Sequence, residues 1–254
     1  MNNLSGDLEN KIAIVTGGTK GIGYGMALGL ARAGAHVAVV SRTKPECERV
    51  SMEIKQLGRQ SLAISADVSK VDSVYEMVAR VVEKFGRVDI LVNNAGVSFS
   101  KPAVEISEEE WDYILNINLK GLFFCAQAAG KQMIKQKRGK IINVASILGL
   151  VGEYFVSPYC AAKGGVVQLT RALALEWSPY NIQVNAIAPG YVLTNLNKAE
   201  LSNEKIYKYI IKKTPQRRLG KVEDMVGLTV FLASNSSDYI TGQVIPVDGG
   251  WTAQ

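Results

Sequence analysis

Thr16-Gly17-Gly18-Thr19-Lys20-Gly21-Ile22-Gly23 follows directly on the β-branched run Lys11–Thr16, and helical periodicity begins where it ends, over Gly21–Ala33. Strand, glycine turn and helix N-terminus in that order let backbone amides approach a pyrophosphate, whose charge the helix dipole favours. Taken alone, the glycines equally serve a tight turn for steric reasons, so the surrounding pattern decides. Outward from the loop, short β-branched runs alternate with amphipathic stretches, the pattern of repeated βαβ units. Further strands are expected at His36–Ser41, Ser61–Ser65, Asp89–Val92, Lys140–Ala145, Ile182–Ile187 and Gln243–Val247. Helices are expected near Glu46–Leu57, Val71–Phe85, Glu108–Gln136, Pro158–Trp177 and Val222–Ala233.

This alternation implies one α/β domain over residues 1–254. A doubly wound, Rossmann-type sheet of seven parallel strands in the order 3-2-1-4-5-6-7 is expected, with a dinucleotide across the strand C-terminal edge. Every connection reads as short except Tyr191–Lys221, residues 191–221, which holds a weak helix around Lys205–Ile211 and reads as a lid or a disordered insertion.

With 47% of its 254 residues apolar, the chain can bury a full core. The polar start Met1–Asn10 carries Asp7 and Glu9 and lacks the basic and apolar stretches of a secretory signal. Apolar runs such as Gly121–Gly130 fall well short of the about 20 residues that span a bilayer. A cytoplasmic protein without a membrane partner is expected. Cys47, Cys125 and Cys160 are odd in number and widely spaced, which suits free thiols. His36, the only histidine, sits in a strand, so neither a Ser-His-Asp triad nor a multi-histidine metal site is expected. A general acid or base must then be a carboxylate, lysine, tyrosine or cysteine, and no metal is expected. A net charge of +6 attracts anions of any kind, but no recognised nucleic-acid module accompanies it, and no nucleic-acid partner is expected.

Tyr159 and Lys163 are four apart and share one helix face. A phenol titrates near 10, and lowering it by about three units takes roughly 4 kcal/mol of preferential phenolate stabilisation. A lysine ammonium and the positive nicotinamide ring of an oxidised cofactor can together supply it. In Rossmann-type sites an acid ending the second strand binds the ribose hydroxyls and repels a 2′-phosphate. Here that strand ends Val39-Val40-Ser41-Arg42-Thr43, with Ser41 and Arg42 in the acid's place and Lys20 nearby in the glycine loop. Arginine grips a phosphate through paired hydrogen bonds and stacks on adenine, which points to NADP(H). The same two cations also suit a solvated surface.

The Thr-Gly-x-x-x-Gly-x-Gly spacing resembles the short-chain dehydrogenase/reductase family, and further motifs extend the resemblance from about residue 8 to the C-terminus. Asp67-Val68 follows the third strand, Asn93-Asn94-Ala95-Gly96 the fourth, Asn118 lies in the fourth helix, Ser146 follows the fifth strand, and Tyr159-Cys160-Ala161-Ala162-Lys163 supplies Tyr-x-x-x-Lys. Pro189-Gly190, with Val192 and Thr194, matches the element that holds the nicotinamide in that family.

The resemblance implies a homotetrameric oxidoreductase that interconverts a ketone and a secondary alcohol of a small-molecule substrate by hydride transfer. Gly17, Thr19, Lys20, Gly21, Ile22 and Gly23 would take the pyrophosphate side, Asp67 and Val68 the adenine, and Asn94, Ala95 and Gly96 the crevice between. Tyr159 would be the acid/base, and Lys163 would bind the nicotinamide ribose and lower the phenol. Ser146 would hold the substrate oxygen, and Asn118 would help hold a relay water. Taken singly, Tyr-x-x-x-Lys arises by chance in helices, Ser146 suits a turn cap, and Asn118 suits a tie to backbone. Cys160 stands one step round the helix from Tyr159 and reads as a packed thiol.

A dinucleotide-binding sensor without catalysis is the contrasting reading, but it has no need of Ser146, Tyr159 and Lys163 together. Ser41-Arg42 and the ending Val247-Asp248-Gly249-Gly250-Trp251-Thr252-Ala253 look most like gluconate 5-dehydrogenase-type sugar-acid members. The 3-oxoacyl-carrier-protein reductases share the general motifs and are the alternative. By resemblance, residues 191–221 form a flap over the substrate. Lys205, Lys208, Lys212, Lys213, Arg217 and Arg218 accompany Glu204 there. They read either as a solvated face or, through Arg217 or Arg218, as an attraction for an anionic substrate such as a keto-sugar acid.

Overall fold

Ile12–Thr16 forms β1, and every one of its residues is buried, as a run must be when its strand is covered on both faces. A computed structural model describes residues 8–194 and 201–253. Most of the expected polar start (residues 1–7), residues 195–200 of the expected lid, and residue 254 lie outside the described residues.

The remaining strands are β2 (His36–Ser41), β3 (Ser61–Ser65), β4 (Ile90–Asn93), β5 (Gly139–Val144), β6 (Ile182–Pro189) and β7 (Val244–Val247). They form one parallel sheet of seven strands in the expected order, β3-β2-β1-β4-β5-β6-β7. Because β1 pairs with β2 on one side and β4 on the other, the connections leaving those strands diverge and open a crevice at their C-terminal ends.

The helices are α1 (Gly21–Arg32), α2 (Lys44–Gln56), α3 (Val71–Phe85), α4 (Glu108–Leu115), α5 (Leu122–Gln136), α6 (Ser157–Trp177), α7 (Glu204–Lys213) and α8 (Glu223–Ala233). Alternate residues of β1 point to opposite faces: Ile14 joins Met77, Ala126 and Trp177 in one core, Ala13 and Val15 join Met26, Ile54 and Met225 in the other. The first core is covered by α3, α5 and α6, the second by α1, α2 and α8. Among the described residues no helix is long and apolar enough to cross a membrane, and no cluster of side chains could hold a metal ion.

Two sequence expectations need correction. The single helix expected over Glu108–Gln136 is divided into α4, a wide π-helical turn at Asn116–Gly121, and α5. The apolar period continues across the insertion, so periodicity does not register it. The lid is also not the only long connection, because residues 94–107 run from β4 to α4 with one short helical turn, Ala103–Glu105. A Ser107–Glu110 capping box then starts α4. Helix α7, within the expected lid, begins on an Asn203 cap and buries Ile210 against Ile147, Leu201 and Trp251, so this helix and the C-terminal Trp251 share a small core.

Candidate active site

The glycine loop is held from across the crevice. Asn94 Nδ2 donates to the carbonyls of Thr16 and Gly17, both at 3.1 Å, while Thr16 Oγ1 accepts from the amides of Asn94 (3.1 Å) and Ala95 (3.2 Å). Gly17 has φ 63°, and a Cβ there would lie 2.8 Å from Asn94 Nδ2; a Cβ on Gly23 would strike the same amide. The tips of β1 and β4 thus form one knot that only hydrogen at these positions permits. Asn94 therefore holds the loop rather than aiming its amide into the crevice. Lys20 precedes α1 in an extended conformation, and its own side chain does not cap the helix. The N-terminus of α1 opens on the crevice lined by the glycine loop, which fits the pyrophosphate of a dinucleotide.

The half of the crevice at the ends of β1, β2 and β3, where the sequence expects the adenosine, is a cavity of about 430 Å³ lined by Gly17, Thr19, Lys20, Gly21, Ser41, Arg42, Asp67, Val68 and Ala95, among others. Arg42 is exposed there. Burial works to raise the Asp67 carboxyl, but hydrogen bonds from Ser69 Oγ (2.7 Å) and Ser69 N (3.0 Å), with Arg42 and Lys70 nearby, hold it below its ordinary value. Lys20 is engaged elsewhere: its Nζ lies 2.8 Å from Glu46 Oε1, while Thr19 Oγ1 donates to Glu46 Oε2 at 3.3 Å. The Lys20 bond holds the Glu46 carboxyl below its ordinary value. Sequence reasoning sought an acid at the end of β2 and passed over Glu46, which reaches the cavity from the first turn of α2.

Ile22, Asn94, Gly96 and Thr194 line both this cavity and a second one of about 340 Å³. The second holds all four expected catalytic residues, Asn118, Ser146, Tyr159 and Lys163, beside Pro189, Gly190 and Val192. Ser146 stands two residues beyond the end of β5, after Ala145, and its Oγ accepts from Leu148 N at 3.1 Å, which starts the short turn Ile147–Gly149. A Cβ on Gly149 would lie 2.6 Å from the Lys163 carbonyl, so the serine's turn sits flush on α6. Tyr159 and Lys163 face the cavity from that helix.

Burial pushes the Tyr159 phenol up to about 12, against a hydrogen bond with Ser146 that favours the phenolate. Burial also pulls Lys163 down to about 8, and its Nζ donates to the Val144 carbonyl at 2.7 Å while lying 5.6 Å from the Tyr159 ring centre. Both groups are driven toward their neutral forms, and the lowering of the phenol expected from Lys163 does not arise from this chain's charges alone. Asn118 is fully buried. Its Nδ2 donates to the carbonyls of Val97 (2.9 Å) and Ile114 (3.0 Å), and its Oδ1 accepts from Val97 N at 3.2 Å. Both amide hydrogens are thus occupied in fixing the π-helical turn, and one Oδ1 lone pair remains for a water.

Pro189-Gly190 is braced by the C-terminal strand, as Gly190 N donates to Val247 O at 3.0 Å, and Val192 pairs with Gly220. Thr194 rests on the glycine loop: a Cβ on Gly21 would lie 3.2 Å from Thr194 Cγ2. The basic lid residues do not converge on the catalytic cavity. Lys208 pairs with Glu204 (2.7 Å), Arg218 with Asp224 (2.6 Å), Arg217 donates to the Lys212 carbonyl, and Lys213 lies 4.8 Å from the Trp251 ring centre. Arg218 lines a separate polar cavity, and neither Arg217 nor Arg218 lines the cavity that holds Ser146 and Tyr159, where the sequence suggested Arg217 or Arg218 as an attraction for an anionic substrate. Sequence reasoning also missed Ser98, Phe99 and Ser100 from the long β4–α4 connection, and Glu153 and Tyr154 before α6, all of which line the catalytic cavity. His36 is remote from this chemistry, its Nδ1 accepting from Gln60 N at 3.0 Å.

A family model described as enoyl-(acyl carrier protein) reductase matches residues 17–252. The chain is 45% identical to the 2-dehydro-3-deoxy-D-gluconate 5-dehydrogenase of Escherichia coli (strain K12) over 97% of each chain. It is 43% identical to a 3-oxoacyl-[acyl-carrier-protein] reductase of Staphylococcus epidermidis, over 95% of this chain and 98% of the relative. Its structure superimposes with a TM-score of 0.95 on a gluconate 5-dehydrogenase from Burkholderia cenocepacia J2315 in complex with NADP and tartrate, 34% identical over 99% of each chain. Sheet order, glycine knot, catalytic cavity and these similarities over nearly the whole length agree: the chain belongs to the short-chain dehydrogenase/reductase family.

Proposed function

We propose that the chain is an NADP(H)-dependent oxidoreductase that interconverts a ketone and a secondary alcohol, with a sugar acid of the gluconate/5-ketogluconate type as substrate. The reading is carried by the hydrogen-bonded Ser146 and Tyr159 hydroxyls, which line a cavity continuous with a crevice fitted to a dinucleotide. NADP(H), when bound, supplies or accepts the hydride. Burial keeps the proton on Tyr159 at neutral pH, ready for the oxygen of a ketone as it becomes an alcohol. Ser146 Oγ, fixed by the Leu148 amide, hydrogen-bonds the same oxygen as charge develops on it. Lys163, held in place by the Val144 carbonyl, would bind the nicotinamide ribose hydroxyls. In the oxidising direction Tyr159 must release its proton, and positive charge beside the phenol favours that release. Asn118 fixes the turn beside these groups and offers its remaining lone pair to a water that passes protons outward.

Arg42 supports NADP(H), because it lies exposed in the adenosine cavity where a 2′-phosphate would meet it. In the same reading residues 191–221 form the substrate lid of a single catalytic domain that works in the cytoplasm as a homotetramer. The sugar-acid substrate is favoured by the relatives and is tested by steady-state reduction of 5-ketogluconate and of an acetoacetyl thioester with NADPH and NADH. The keto acid should be the better substrate and NADPH the better reductant by tenfold or more. A clear preference for the thioester would replace the sugar acid with an acyl chain, and loss of all turnover would return the protein to the sensor reading.

A further inference from the structure

We infer that Glu153 selects the substrate: its Oε2 accepts a hydrogen bond from a hydroxyl of a polyhydroxylated ketone, and its charge turns away a carboxylate or a bare acyl chain at that place. This rests on reading the cavity as a carbonyl oxidoreductase site. Glu153 lines the same cavity as Ser146 and Tyr159. Its Oε1 accepts from Tyr154 N at 3.0 Å, but its Oε2 is buried from solvent and has no hydrogen-bond partner among the described residues. A buried carboxylate oxygen without a donor is unfavourable, and a ligand that brings one removes the deficit. An acyl chain in the same place would leave the oxygen desolvated, and a second carboxylate would add repulsion.

The surroundings make Glu153 the charge that a substrate meets. Among the described lining residues the other charged group is Lys163, whose Nζ already donates to the Val144 carbonyl. Lys213 of the lid acts on Glu153 from a distance, but it is held first by Tyr209 and gives Oε2 no hydrogen bond. The segment is also fixed rather than a loose surface loop. Phe155 adopts a left-handed conformation (φ 62°), its carbonyl accepts from Lys101 N at 2.7 Å, and α6 begins two residues later. For a keto-sugar acid, this orients a hydroxyl toward Glu153 and the carboxylate away from it. It also separates such substrates from 3-oxoacyl thioesters, which carry no hydroxyl beside the ketone.

The test compares the wild type with Glu153→Leu and Glu153→Gln on two ketones, 5-ketogluconate and the hydroxyl-free 2,3-butanedione, with NADPH affinity followed by fluorescence in parallel. Glu153→Leu should lower kcat/KM for 5-ketogluconate by about ten- to a hundredfold. It should leave the diketone rate equal or higher and NADPH affinity unchanged, which also establishes that the variant is folded. Glu153→Gln keeps an acceptor oxygen without the charge and should fall between. An equal loss on both ketones, or no loss on either, overturns the role of Glu153 while leaving the oxidoreductase reading intact. Absence of wild-type turnover on both ketones overturns the reading and the selector together.

Discussion

Tyr159 and Lys163 stand one helical turn apart, and burial moves the first to about 12 and the second to about 8. Tyr159→Phe removes the transferable proton alone, so hydride transfer should vanish while NADPH affinity, read by fluorescence, persists. Lys163→Met should lose both. The same shifts contribute to the pH dependence of stability in the cofactor-free protein. Lys163 has its folded value below its ordinary 10.5, so its contribution is fully present above 10.5 and is lost as pH falls through about 8. Thermal denaturation should therefore show stability rising between pH 8 and 10.5, by up to about 1.4 kcal/mol per unit from this group, and Lys163→Met should flatten that rise. Tyr159, raised instead, works against stability above pH 10. At the other end of the crevice, Arg42→Asp should weaken or reverse the preference for NADPH. Lys20→Ala should do much less, because Lys20 is already paired with Glu46. Equal catalytic efficiencies with NADPH and NADH in the wild type would remove Arg42 as selector. The tyrosine and lysine were legible because helical period alone puts them on one face. Glu46 and Glu153 were not, since each matters through what it faces across space, and no spacing along the chain encodes that.

The turn Ile147–Gly149 and helix α6 meet at a contact with no room for a methyl group. Gly149→Ala should drive the serine's turn away from the tyrosine's helix, lowering kcat by about tenfold or more. Its stability cost should be about 1–3 kcal/mol by thermal melt, while NADPH affinity changes little. Unchanged kcat would mean that Ser146 and Tyr159 need no such registration. Element positions were legible almost to the residue where caps or glycines punctuate the chain, as at Val71–Phe85, which ends on Gly86 in a left-handed conformation. The break between α4 and α5 was hidden, because Asn118 holds it by reaching Val97, a partner outside its own helix.

At the scale of the whole molecule, strand order was legible from the alternation of strand and helix together with the glycine loop, which stands beside the point where the strand order reverses between β1 and β4. Assembly is a separate matter. Leu115, Leu119, Phe123 and Leu169 line an open apolar groove between the π-helical turn, α5 and α6, a face suited to a second copy of the chain. Light scattering should give a tetramer, and Phe123→Glu a smaller species; a monomeric wild type at micromolar concentration would defeat the assembly. Within one subunit, Thr194 lies over Gly21, so the start of the proposed lid rests on the crevice that fits a dinucleotide. Entry and exit should then follow a fixed sequence, with the dinucleotide first in and last out. Product-inhibition kinetics should accordingly show NADP+ competing with NADPH and the alcohol product not competing with NADPH, the signature of a compulsory order in which the coenzyme completes the floor on which the substrate lands.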